Sequence, residues 1–150
     1  MTLQSSQLQS LKKELRQLAD PVRAKHSLRF FRTGKGEYGE GDNFLGLTVP
    51  DKRKVARKFF REVSLTEVEQ LLHGVYHEHR LTALFMLVYK FERAEESEQK
   101  SIYNLYMRNT RYVNNWDLVD SSAHKIAGAW LKDRDRKELY AFAHSKDLWK

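Results

Sequence analysis

Apolar residues recur along this chain at steps of three and four, the spacing of one face of an α-helix. Leu8, Leu11, Leu15 and Leu18 form the first stripe. Leu81, Leu84, Phe85, Val88 and Phe91 form a second, and Val119, Ala123, Ile126, Ala127 and Trp130 a third. The pattern predicts helices over 3–19, 21–32, 50–61, 65–73, 77–93, 96–109, 116–132 and 134–144. Both prolines fit helix starts: Asp20-Pro21 reads as an N-cap and first helical residue, and Pro50 follows Thr48 and Val49. Ser64 and Glu67 have capping-box spacing, and Gly74 stands where a C-cap glycine would. No strand alternation or Asn-Gly hairpin signal is present. Short helices joined by brief turns predict an all-α fold, either an α-solenoid or an irregular bundle. No exact sequence repeat decides between them.

One long segment breaks the helical pattern. Thr33 to Thr48 contains Gly34, Gly36, Gly39, Gly41 and Gly46. Loops of this length are uncommon and tend to be functional or mobile. The glycines do not make a phosphate loop, because no Gly-Lys-Ser/Thr ending follows and no strand precedes.

Composition narrows the class. A chain of 150 residues, 41% hydrophobic and 31% charged, suits one globular domain with a real core. There is no cysteine, which excludes disulfides, thiolate metal sites and a cysteine nucleophile. No apolar run is long enough to span a bilayer, and Met1 is followed by polar residues rather than a signal-peptide pattern. The expected location is the cytoplasm. The net charge of +7 is uneven. Residues 1–64 hold 14 Lys and Arg against 7 Asp and Glu, whereas 65–150 hold 13 of each. Lys52, Arg53, Lys54, Arg57, Lys58 and Arg61 form the densest cluster. Such a patch can bind a polyanion by displacing counterions, or serve as a solvated helix face.

The stretch Asn114-Asn-Trp-Asp-Leu-Val-Asp120 carries the most chemistry. In a helix, Trp116 and Asp120 lie one turn apart on one face. A ring beside a carboxylate can stabilise a positive charge. The same residues also read as an ordinary helix start, with Asn115 as N-cap, Asp117 favouring the N-terminus and Trp116 in the core. Other clusters point less far. His73, His77 and His79 with Glu78 lack His-Glu-x-x-His spacing, so no metal site is expected. Glu78 and Arg80 are expected to make interhelical polar contacts. Ser121, Ser122 and His124 have no strand-to-helix elbow around them. Tyr103, Tyr106 and Tyr112 could stack on bases or pack between helices.

Four stretches together resemble one family. They are Gly34-Lys-Gly-Glu-Tyr-Gly-Glu-Gly-Asp-Asn-Phe-Leu-Gly46, Pro50-Asp-Lys-Arg53, His77-Glu-His-Arg-Leu-Thr-Ala-Leu84 and Asn114-Asn-Trp-Asp-Leu-Val-Asp120. In this order they are similar to the AlkD-like alkylpurine DNA glycosylases built from HEAT-like repeats. The likeness spans nearly the whole chain. It implies an all-α superhelix, or solenoid, of HEAT-like repeats with a basic concave face for duplex DNA. It implies hydrolysis of the N-glycosidic bond of N3- and N7-alkylated purines, with no metal or cofactor. Carried onto this chain, Asp120 is the catalytic carboxylate and Trp116 the ring beside it. The family is thought to work without a base-flipping pocket, and the sequence offers no candidate for one. Arg111, Lys52, Arg53 and Arg57 are the expected DNA contacts. In the family an arginine shortly beyond the Leu148-Trp149 pair completes the site, and the chain stops at Lys150. The expectation is therefore a single domain lacking its C-terminal repeats, with weak DNA binding and little or no glycosylase activity. The alternative is a non-catalytic HEAT-like module that recognises duplex shape.

Overall fold

The computed structural model describes residues 5–150, and the start of the first expected helix lies outside them. Among the described residues the elements are helical, with one isolated parallel bridge between Asn43 and Tyr76. In chain order they are α1 (Ser6–Gln17), α2 (Pro21–Phe30), α3 (Val49–Phe59), α4 (Leu65–Leu72), α5 (His77–Arg93) and α6 (Glu96–Arg108). A 3₁₀ turn (Thr110–Tyr112), α7 (Trp116–Asp120), a π-helical turn (His124–Gly128), α8 (Ala129–Leu131) and α9 (Lys137–Ala143) complete the chain. The architecture is the expected all-α array of helical repeats.

The helix starts follow the local chemistry. Asp20 Oδ1 accepts from the N–H groups of Val22 and Arg23 while Pro21 opens α2. Thr48 caps α3, with Pro50 in its first turn. Ser64 and Glu67 form a complete capping box on α4, and Glu67 also accepts from Ser5 N at 3.1 Å. Gly74 is not the left-handed cap its position suggested. His73 ends α4 with φ −82°, and the glycine serves close packing instead. A Cβ at Gly74 would lie 3.0 Å from Leu71 O and 3.1 Å from His79 Cβ.

Helix α5 is the centre of the core. His77 through Val88 are buried apart from half-buried His79, and α3 and α4 pack against different sides of the helix. Leu8, Leu11 and Leu15 of α1 are wholly buried, and α1 docks on α3, where Lys58 pairs with Glu14. Leu18 falls outside this stripe and is exposed.

The largest departure from the periodicity lies at 116–132, expected as one helix. The chain instead makes α7, a turn at Ser121–Ser122, the π turn and α8. Ser122 explains the break. Its hydroxyl donates to Leu118 O at 2.6 Å, and Tyr106 OH lies 3.0 Å from Ser122 Oγ. A buried serine bonding back four residues competes with the helix ladder and bends it. The expected stripe still packs: Ile126, Ala127 and Trp130 are buried, and Val119 and Ala123 lie against the core.

The Gly-rich segment is pinned by hydrogen bonds as well as by burial of Leu47 in the core and Leu45 against it. The Glu78 carboxylate accepts from Leu45 N and Gly46 N, the latter at 2.8 Å, and His77 N donates to Asn43 O at 2.8 Å. Gly46 has φ +88°, and a Cβ there would sit 2.0 Å from Asp20 O. Gly46→Ala is therefore expected to destabilise the protein by at least about 2 kcal/mol, from a strained φ plus a backbone clash. The urea midpoint of the variant against the parent checks this.

Candidate functional site

Trp116 and Asp120 lie at the two ends of α7. Asn115 caps this short helix, accepting from Trp116 N at 2.8 Å, and its amide reaches Phe31 O at 3.3 Å. Leu118 is fully buried and fastens the helix to the core. Trp116 is 52% exposed, with its ring edge-on to Trp149 at 5.0 Å. Trp149 in turn meets Tyr38 of the Gly-rich segment at 5.7 Å. Asp120 is exposed and makes no hydrogen bond or ion pair with any described residue. The two residues read as a pair in the sequence are thus brought onto one helix, both reachable from solvent. An open apolar cleft of about 370 Å³ borders Trp116, walled by Val113, Val119, Phe142 and Trp149 among others. Its nearly apolar lining offers little that could read the edge of an extruded base.

Behind the pair lies a buried cluster of ionic groups. His77 is 0% exposed and lies against the rings of Phe31 and Phe44, each 4.7 Å away, which stack on one another at 5.1 Å. Its Nδ1 bonds Asp42 Oδ2 and its Nε2 bonds Asp117 Oδ2, both at 2.7 Å. Arg80 donates to Asp42 Oδ1 at 2.7 Å. Burial pushes the His77 pKa down, but the hydrogen bonds and charges of Asp117 and Asp42 outweigh it and hold it above the ordinary value. Burial raises the Asp42 carboxyl, and His77 and Arg80 overcome that to leave it below the carboxylate norm. The protonated ring donates from both nitrogens. Lys52, His77 and Arg80 then balance Asp42, Glu78 and Asp117. Breaking such a buried set by removing one member costs about 3–5 kcal/mol, because charges are left without partners.

Lys52 corrects an expectation. It is 5% exposed, and burial lowers its pKa against the opposing pull of Glu78 and Asp117. A buried ammonium drawn by the charges of Glu78 and Asp117 lies inside the fold rather than open to a phosphate. Arg53 and Arg57 remain at the surface of α3. Arg53 lies over Phe85 at 4.5 Å and Arg57 over Tyr89 at 5.8 Å. Arg61 continues the same stripe, 5.2 Å over Phe60, and Arg93 of α5 meets that ring at 5.1 Å. Arg111 is exposed in the 3₁₀ turn before α7, over its neighbour Tyr112. The cations therefore fall into two groups, one on the α3–α5 ridge and one beside α7.

The remaining sequence candidates disperse. His73 bonds Asn109 and stacks on Tyr112, whereas His79 is held near pKa 4 by burial and by Lys12 and Arg16. Among the described residues no group of three or more His, Cys, Asp or Glu side chains could hold a metal ion. Tyr103 donates to Glu138 and Tyr106 bonds Ser122, so both are packing residues. Sequence reasoning placed Glu78 and Arg80 in polar contacts but missed His77, Asp42 and Asp117 as a unit. The ring's two partners are 35 and 40 residues away in the chain, a separation that no local pattern reveals.

A model of the DNA alkylation repair enzyme family matches residues 11–150. The chain belongs to that family. Membership places it among DNA repair enzymes, with DNA as the class of substrate. No curated protein and no solved structure matches the chain. No helix of the described residues is long and apolar enough to cross a membrane.

The ionic cluster makes stability depend on pH. The His77 pKa is raised above 6.5 in the fold, so its contribution is complete below that value and is lost as pH climbs through the folded pKa. The Asp42 pKa is lowered from 3.8, so its contribution is present above that value and is lost as pH falls through the folded pKa. The cluster should therefore stabilise most between those limits. The urea midpoint is expected to be higher near pH ~5 than near pH ~8.5, with the alkaline decline reduced in His77→Gln.

Proposed function

We propose that this family member is a monofunctional glycosylase that hydrolyses the N-glycosidic bond of N3- and N7-alkylated purines in duplex DNA. The observation that carries the reading is Asp120, a solvent-facing carboxylate without a protein partner, one helical turn from the half-exposed ring of Trp116. A carboxylate that serves structure is normally paired. An unpaired one beside an aromatic face is free to meet a cation.

The chemistry suits that pair. An alkylated purine is cationic and leaves with the electrons of the C1′–N bond, becoming neutral. Positive charge develops on the sugar as in glycoside hydrolysis. Asp120 stabilises that charge and orients a water, whose oxygen adds to C1′ while its proton is released. The Trp116 face attracts the same cation and keeps one side of it dry. The leaving group is already activated, so the step needs no general acid. No step draws on a metal or cofactor.

Arg53, Arg57 and Arg61 support duplex binding. Stacking on Phe85, Tyr89 and Phe60 leaves each guanidinium extended at the surface with less entropy to lose on meeting a phosphate. Arg111 stands nearer the reacting pair. Because the stripe is separate from α7, it would also serve a non-catalytic, shape-reading module, the second reading.

Release of 7-methylguanine from methylated duplex DNA tests the proposal. It should be measured beside an unmethylated duplex of the same sequence. Asp120→Asn is expected to abolish release while leaving duplex affinity within a few-fold, on the order of a neutral surface change. Equal release by Asp120→Asn would refute the assignment. Salt-sensitive binding with no release in any form would favour the non-catalytic module. Removing Arg53 or Arg57 should lower the salt slope of binding by about 1 each, uniformly across sequences. Lys52→Ala should instead act on the denaturation midpoint.

A further inference from the structure

Helix α7 has only five residues, too few to be stable alone, so its orientation is set by its attachments. Neither Trp116 nor Asp120 supplies one to the core, since both face solvent. The attachments are Asn115 to Phe31 O, the side chains of Leu118 and Val119 in and against the core, the Ser122 bond to Leu118 O, and Asp117 to His77. Asp117 is the charged member of this set. Its Oδ2 meets the ring, and its Oδ1 is buried with no partner. The other nitrogen of the same ring holds Asp42, in the segment that carries Tyr38 against Trp149 and so toward Trp116.

We propose that His77 is a positioning residue for the Trp116–Asp120 pair, its imidazole tying α7 through Asp117 to the Gly-rich segment through Asp42. The proposal rests on the reading of that pair as the reacting groups. Asp117 and Trp116 are adjacent in sequence, so a shift of the Asp117 carboxylate turns the first turn of α7 and carries both functional side chains with it. The charged groups around the ring are Asp42 from the Gly-rich segment, Asp117 from α7, Glu78 and Arg80 from α5, and Lys52 from α3. Asp42 has Arg80 as a second donor, and Asp117 has none among the side chains.

The tie depends on protonation. With both nitrogens protonated, the ring donates to both carboxylates. Once one proton is lost, one carboxylate faces a lone pair, and the link between segment and helix is broken on that side. Asp117→Asn reverses the requirement. Its amide can donate to the neutral ring while the remaining N–H serves Asp42, so the variant satisfies the same geometry without the second proton.

Two readouts separate this proposal from the glycosylase reading. The first is NMR of the intact protein, following the His77 ring protons and the Trp116 indole N–H, assigned with Trp116→Phe, across pH. Trp116 is expected to follow the His77 titration, and Asp117→Asn to shift or remove that coupling. An indole signal indifferent to the His77 titration overturns the proposal. The second is single-turnover release of 7-methylguanine at saturating protein. The rate is expected to fall roughly 10- to 100-fold in His77→Gln, and in the parent as pH rises through the His77 titration, with duplex affinity unchanged. Asp117→Asn is expected to retain activity on the alkaline side. An unchanged rate in a folded His77→Gln overturns the proposal. If Trp116 tracks His77 but no form releases base at any pH, the glycosylase reading falls while the tie between His77 and Trp116 stands.

Discussion

Against the stacked rings of Phe31 and Phe44, closed off from solvent, one imidazole bonds carboxylates from two segments far apart in the chain. The Gly-rich segment buries few apolar side chains, Leu47 chief among them, and α7 is too short to hold itself. His77 supplies each with a charged anchor on α5, the most buried helix of the fold. Next to it, Glu78 takes the amides of Leu45 and Gly46 and turns the segment back toward the start of α3. Consecutive residues on one helix thereby anchor both α7 and the Gly-rich segment. The arrangement tolerates burial because three cationic and three anionic groups balance locally, and each anion has a donor within hydrogen-bond reach.

The carboxylates of this region divide into tied and open ones. The carboxylates that hold structure, Asp42, Glu78 and Asp117, are tied to internal donors. Asp120, a turn beyond Asp117 on the same helix, is left open to solvent. Two carboxylates on one short helix thus have different environments and different uses, one fixing the helix and one available to a cation. Membership of the DNA alkylation repair enzyme family sets that exposed carboxylate in a protein whose class of substrate is DNA. The break after α7 contributes too. Ser122 diverts the chain into the π turn, so that α7 ends as a separate piece whose direction its own anchors decide.

Much was legible in the amino-acid pattern. The helix starts at Asp20-Pro21, Thr48 and Ser64 are local events between residues two or three apart, and the structure has them where the sequence puts them. Apart from Leu18, the apolar stripes of α1 and α5 bury as their spacing predicts. Trp116 and Asp120 fall on one helix because a four-residue spacing needs nothing more. Lys52 shows where such reading stops. In sequence it is one cation of a basic cluster beside Arg53, yet adjacent positions on a helix point about 100° apart. One faces the core and the other the surface, and only the packing of α3 on α5 selects which.

Residue order alone therefore carried the all-α class, the family and the placing of Trp116 and Asp120 on one helix, all written in residues a few positions apart. The tertiary structure alone decided that Gly74 spaces α4 from α5 rather than reversing the chain, that 116–132 is broken, and that Asp42, His77 and Asp117 form one buried unit. The reason is range. Caps, turns and amphipathic faces are short-range interactions fixed by neighbours along the chain. A buried charge is tolerated only where partners from distant segments converge on it, and that convergence exists only once the helices have packed.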